Sequence, residues 1–232
     1  MRRSTVSGAI AVAALLGGGI AIALGYARRY GAVRVVNEEF DAASTLEVDV
    51  LGAVSVVAGE VKKISVQLSI WGSAATVAAY RLGVEREGQT LRLSAPGRMS
   101  GSERAIVRLQ IVVPRATHLR VRSSAGAISA RSLDDVDLDA RLGAISASDV
   151  GGTVRVRIGA GAIAVGLAKD RPIAAVDIDC GAGPIALAVP RALRADYHVV
   201  ARLLPIRPPD SVPGGIPVDV HTGAGPVAIA LR

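Results

Sequence analysis

The chain of 232 residues is half apolar, enough material for a sizeable core, so disorder is not the default reading. Its formal charge of +7 is not a nucleic-acid signature, because Arg2, Arg3, Arg28 and Arg29 flank an apolar run and without them 23 basic residues face 20 acidic ones, leaving no basic stripe. Aromatic residues make up 3%, too few for base- or sugar-stacking platforms, and the lone Cys180 excludes an internal disulfide, a cysteine zinc cluster and a lipobox.

From Thr5 to Ala27 no residue is charged, and GAIAVAALLGGGIAIALGYA has the length of a bilayer-spanning helix, about 20 residues. Signal h-regions are shorter, roughly 7 to 15 residues. Residues 1–30 are therefore expected to be one transmembrane helix acting as an uncleaved membrane anchor, with cleavage after Gly25 or Ala27 as the alternative. Arg2 and Arg3 on one side balance Arg28, Arg29 and Arg34 on the other, so the positive-inside rule does not set the orientation. Residues 31–45 follow as an expected linker.

The next part, 46–118, opens on LEVDVLGAVSV and then changes texture. Ile64 to Ile70 and Ala105 to Val113 alternate as strands, Ser73 to Leu82 suits a short helix, and EREG before Gln89 reads as a hairpin turn. Residues 94–104 form a polar loop in this reading.

From 119 to 232 one unit recurs: LRVRSSAGAISA from Leu119, VDLDARLGAISA from Val136, VRVRIGAGAIAV from Val154, VDIDCGAGPIAL from Val176 and VDVHTGAGPVAI from Val218. With the first copy at Leu46, the aligned glycines are Gly52, Gly126, Gly143, Gly161, Gly183 and Gly225. The middle spacings are 17, 18 and 22 residues, and the gap of 42 from Gly183 to Gly225 fits two rungs, the extra one around Tyr197 to Arg202. Period-2 alternation on both sides of each glycine is a strand signature. The glycine marks a bend that needs positive φ or close backbone approach. No unit can bury its apolar side alone, so the units must stack. The fold class expected is all-β, a parallel β-solenoid-like stack of two-strand rungs, with Val136, Leu138, Ala140 and Ile145 and their equivalents facing inward, Cys180 among them as core filler.

The outward positions carry Arg120 and Arg122, then Asp137 and Asp139, then Arg155 and Arg157, then Asp177 and Asp179. Sign alternates rung by rung, and neighbouring strands lie about 4.8 Å apart. A slip of one rung would stack like charges, so the column reads as a structural charge ladder that sets register. After the glycine the outward residues, Ser129, Ser146, Ala164, Ala186 and Ala228, are all small. Leu203 to Gly215, rich in proline and glycine, is expected as an excursion between the last two rungs.

Motifs that carry chemistry fail one by one. The GAGA at Gly159 and the GAGP at Gly181 and Gly223 lead into strands, with no helix N-terminus or lysine for a phosphate. Asp134, Asp135, Asp137 and Asp139 have no calcium-loop spacing. His118, His198 and His221 are scattered, and no nucleophile elbow or linked Ser, His and Asp set appears. No catalytic residue, cofactor or metal is expected, and no nucleic acid as partner.

These units, with IVVPRATHLRVRSSAGAIS at 111–129, resemble the bacterial putative-adhesin family of β-strand-repeat domains, a family of unknown function, over roughly residues 45–232. Family members commonly follow the glycine with a polar residue where this chain has alanine or proline. The resemblance implies a β-solenoid-like domain, often tethered to the envelope and facing outward, and it transfers no catalytic residue. The resulting expectation is a non-enzymatic, single-pass envelope protein at the cell membrane. Its extracytoplasmic domain would serve as an adhesin-like surface, scaffold or sensor, with a protein or envelope partner. An unpaired edge at Val227 to Arg232 invites self-association. The alternatives are a carbohydrate-active β-helix enzyme on envelope glycans, or a cytoplasm-facing polymerising scaffold on the membrane.

Overall fold

A computed structural model describes residues 32–95, 105–202 and 208–232. The expected transmembrane helix within residues 1–30 lies outside them, as does most of the expected loop at 94–104. Among the described residues no helix is long and apolar enough to cross a membrane.

The structure is all-β apart from one helical turn and a half. The chain opens with β1 (Ala32–Asp41), β2 (Thr45–Val50), β3 (Ala53–Gly59) and β4 (Lys63–Gly72). The helix α1 (Ala74–Ala79) is capped by Ser73, whose Oγ accepts from the Thr76 amide at 3.1 Å. The hairpin β5 (Gly83–Glu87) and β6 (Thr90–Ala95) turns at Gly88, where φ is +56°. Then come β7 (Ile106–Pro114), β8 (His118–Ser123), β9 (Gly126–Arg131) and β10 (Asp134–Leu167), the last running through two rungs without interruption. The C-terminal part holds β11 (Ile173–Ala182), β12 (Ile185–Val189), β13 (Ala195–Ala201), β14 (Ile216–Ala224) and β15 (Val227–Leu231).

All 15 strands among the described residues belong to one sheet, arranged as two columns. The first runs β5, β6, β2, β8, β10, β11, β14, β13, and the second β1, β4, β7, β3, β9, β10, β12, β15. Within the repeats pairing is parallel and in register, Val136 on Leu119, Val154 on Val176 and Ile163 on Ile185. The wing at the other end is antiparallel, β1 on β4, β4 on β7 and β5 on β6. The result is a curled, half-barrel sheet and not a clear solenoid. The physical reason is that the two columns share β10 and the antiparallel wing breaks the repeat.

Side-chain alternation explains the core. The inward positions Val136, Leu138, Ala140, Ile145, Val154, Val156, Ile163, Val176, Ile178, Cys180 and Ile185 are all buried, and one apolar cluster runs from Ala43 to Val220. The change of texture at 118/119 is thus a change of pattern inside one core.

Two expectations are corrected. Residues 32–41 of the expected linker form β1, held to β4 along its whole length from Ala32 on Gly72 to Asp41 on Lys63. The extra rung also sits elsewhere: β14 pairs directly with β11, Val218 on Val176, and β13 lies outside it, Tyr197 on Val218. The chain places β14 between β11 and β13, so the extra rung lies at the outer end of the first column and the order of the last two rungs is the reverse of the expected one.

Candidate functional site

The glycines of the repeat form a column of their own. Gly126, Gly143, Gly161, Gly183 and Gly225 have φ between +133° and +144°, a region that side chains reach only with strain. A Cβ on Gly143 would meet the carbonyl oxygen of Gly126, and one on Gly161 that of Gly143, and the pattern continues to Gly225 on Gly183. Gly126 rests in the same way on Gly52. Each bend can stack on the last only because no side chain intervenes. The second half of β10 is thereby seated on its first half.

The bend sets which side chains face outward in the first column, and there the structure brings the charged residues together. Asp137 lies opposite Arg120 and Asp139 opposite Arg122; Arg155 lies opposite Asp177 and Arg157 opposite Asp179. Arg120 Nε is 3.3 Å from Asp137 Oδ2, an ion pair without hydrogen-bond alignment. Arg155 Nε and Arg157 Nη2 are both 3.4 Å from Asp177 Oδ2. No ion pair forms at Arg122, Asp139 or Asp179 among the described residues, so the inner of the two outward columns carries most of the contact.

The row extends beyond the residues expected from sequence. Glu47 Oε1 accepts from Arg120 Nη1 at 3.0 Å and Glu47 Oε2 from Arg92 Nε at 2.9 Å, and Arg92 also reaches Glu87 at 3.1 Å. The Glu47 hydrogen bond, then the Glu47 and Glu87 charges, raise the Arg92 pKa. From Arg92 through Glu47, Arg120, Asp137 and Arg155 to Asp177 the signs alternate. The signal for Glu47 was present in the unit at Leu46. Its adjacency to Arg120 is hidden by a separation of 73 positions along the chain.

Alternation stops at the C-terminal end. Asp219 lies directly opposite Asp177, like against like, and His221 opposite Asp179. Beyond it His198 Nδ1 is 3.7 Å from Asp219 Oδ1, an ion pair only when the imidazole is protonated. Two histidines that are distant in sequence therefore sit on neighbouring strands.

Other polar clusters serve the corners. Arg171 bridges Asp134 at 3.0 Å and Asp149 at 3.1 Å, and Asp135 Oδ1 accepts from the Thr153 amide at 2.7 Å. The acidic run at 134–139 is thus divided between a corner and the ladder. Among the described residues no group of His, Cys, Asp and Glu side chains is arranged to hold a metal ion.

Clefts lie over both columns. One of about 240 Å³ lies over the ladder between Glu47, Asp49, Glu85, Arg92, Arg120 and Arg122. Another, about 190 Å³, lies over the row Asn37, Gln67, Gln110 and Ser55, where Gln67 Nε2 donates to Asn37 Oδ1 at 3.1 Å. On the second column the small outward residues Ser146, Ala164, Ala186 and Ala228 line a shallow trough. Cys180 faces the core, and burial, with a smaller contribution from Asp179, pushes its thiol pKa up, which disfavours the reactive thiolate.

No family model matches the chain, and no curated protein matches it. Among solved structures it is similar to a putative cell adhesion protein from Clostridium sporogenes ATCC 15579, at 14% identity and a TM-score of 0.47, covering 87% of this chain and 100% of that one. It is also similar to a putative adhesin from Bacteroides fragilis NCTC 9343, at 10% identity and a TM-score of 0.38, covering 85% and 97%. A third is a putative lipid binding protein from Parabacteroides distasonis ATCC 8503, at 11% identity and a TM-score of 0.30, covering 87% and 94%.

Proposed function

We propose that this chain is a non-enzymatic, membrane-anchored envelope protein that displays its solenoid-like β-stack outside the cytoplasm, as an adhesin-like surface, scaffold or sensor domain. The observation that carries this reading is the position of β1. It starts at Ala32, so that residues 28–31 alone separate the end of the apolar run at Ala27 from the sheet. A stack joined to an anchor by so short a segment would stand close to the membrane surface. Its ladder supports the same reading, since Glu47, Asp137 and Asp177, three of the carboxylates a glycan-cleaving site could draw on, are engaged by arginines.

Topology is the decisive measurement. Lys62 is exposed and Cys180 is buried, so Lys62→Cys supplies a reporter against a silent background. In intact bacterial cells expressing the full chain, a membrane-impermeant maleimide should label the variant fully. Labelling only after lysis overturns outward display and favours the cytoplasm-facing scaffold. Release of reducing ends from purified envelope glycan by the full chain would instead favour the enzyme.

A further inference from the structure

The two columns stop at different heights. In the first, β13 covers β14, and Val218 and Val220 beneath it are fully buried. In the second, β15 is the last strand, with no described strand on its outer edge. Its core-facing residues are only part-covered, Leu231 being 45% exposed, whereas Ile185, Leu187 and Val189 in the same positions one rung earlier are at most 1% exposed.

The sequence of the chain's next segment is ill suited to closing this step. Carrying the register of Ala201 on Thr222 forward puts Leu204 at the place of the bend glycine Gly225, and Ile206 to Asp210 opposite Val227 to Leu231. Leucine pays strain at that φ, and Pro208 and Pro209 lack the N–H groups a strand needs.

The other ends of the sheet are guarded. β1 carries Glu38, Glu39 and Asp41, and the short β5 carries Glu85, Arg86 and Glu87, the charged devices that discourage edge pairing. The outer edge of β13 is engaged by the following loop, where Ser211 Oγ accepts from the Tyr197 amide at 2.8 Å and the Val212 amide donates to Ala195 O at 2.9 Å. β15, with sequence VAIAL, has no charge at all. The neighbouring Arg232 is drawn back: its Nη2 donates to Leu167 O at 2.6 Å, and its amide to Val189 O at 2.9 Å.

We propose that the occupant of this edge is β15 of a second copy, paired antiparallel about a two-fold axis through Ile229. The edge is complementary to itself in that register. Val227 faces Leu231 of the second copy, Ala228 faces Ala230 of the second copy, and the two Ile229 residues meet. Core-facing side chains stay on the core side and alanines stay outside, so each β15 supplies the half-rung its partner lacks. The two-fold also closes the assembly, whereas head-to-tail addition onto β1 would set this apolar strand against Glu38 and Glu39 and propagate as a filament. This inference goes beyond outward display and holds for either orientation in the membrane.

The register makes a charge test specific. Ala228 and Ala230 are exposed, so substitutions there leave the core intact. In Ala228→Lys/Ala230→Lys each new lysine directly faces a lysine of the second copy; in Ala228→Lys/Ala230→Glu each lysine faces a glutamate. Sedimentation of the full chain in detergent over a concentration series should show a monomer–dimer equilibrium for the parent, monomer for the Lys/Lys variant, and dimer again for the Lys/Glu variant, with unchanged circular dichroism. A parent that is monomeric throughout, one that grows into open polymers, or a dimer indifferent to the Lys/Lys pair would each overturn the proposal.

Discussion

At the scale of single residues, the bend glycines and the buried titratable groups make different demands. Gly143 has φ +133° and its added Cβ would collide with the Gly126 carbonyl, while Gly88 has φ +56° with open space around it. Gly143→Ala should therefore cost about 2–4 kcal/mol, strain plus displaced backbone, and Gly88→Ala about 1 kcal/mol, strain alone. Urea denaturation of both variants checks this, and equal losses would show that stacking at the bend is not the constraint. Burial raises the pKa of Cys180 from an ordinary 9.0 and that of Tyr80 from an ordinary 10.0. Both raised groups stay neutral in the fold while the unfolded chain releases its protons first. Their contribution is fully present below about pH 9 and is lost as pH rises through the folded values. The melting temperature should fall from about pH 9 upward, and Cys180→Ala should flatten the first part of that fall. The inward place of Cys180 and the need for each bend glycine were legible in the sequence, because alternation and the aligned glycines are local patterns. The collision partner of each glycine was not, since it belongs to another rung.

At the scale of elements, the ladder makes neighbouring rungs unequal. Asp177 is shared by Arg155 and Arg157, yet all three side chains are a third or more exposed, so Asp177→Asn should lower stability by less than about 1 kcal/mol. Asp219 faces Asp177 across the β11–β14 pair, and its one ionic partner among the described residues is His198. At pH 8 Asp219→Asn, which removes a carboxylate facing Asp177, should leave stability unchanged or raise it by a few tenths of a kcal/mol. Calorimetry on the two variants checks the difference in sign; equal destabilisation would mean that charge alternation is not what the row contributes. Four consecutive rungs carried the alternation in plain view from Arg120 to Asp179. Its extension through Glu47 to Arg92, and its failure at Asp219, were hidden because β2 enters between β6 and β8 and β14 enters beneath β13.

At the scale of the whole molecule, one core cluster joins the antiparallel wing to the repeats, so unfolding should be a single cooperative transition. Trp71 is buried in β4, far along the chain from the last rungs. Its fluorescence and the far-ultraviolet circular dichroism should give coincident urea curves, and should still coincide when Gly161→Ala lowers the midpoint. Separate transitions would divide the wing from the stack. The sequence by itself determined strand character, the inward set, the bends and the sign pattern of consecutive rungs, because each arises from side-chain spacing along a few residues. The tertiary structure decided that residues 32–41 form a strand, that the sheet curls as a half-barrel, and that one column ends a strand before the other. Those outcomes depend on which distant segments compete for the same edge, and that competition is settled by hydrogen-bond pairing and burial across the stack.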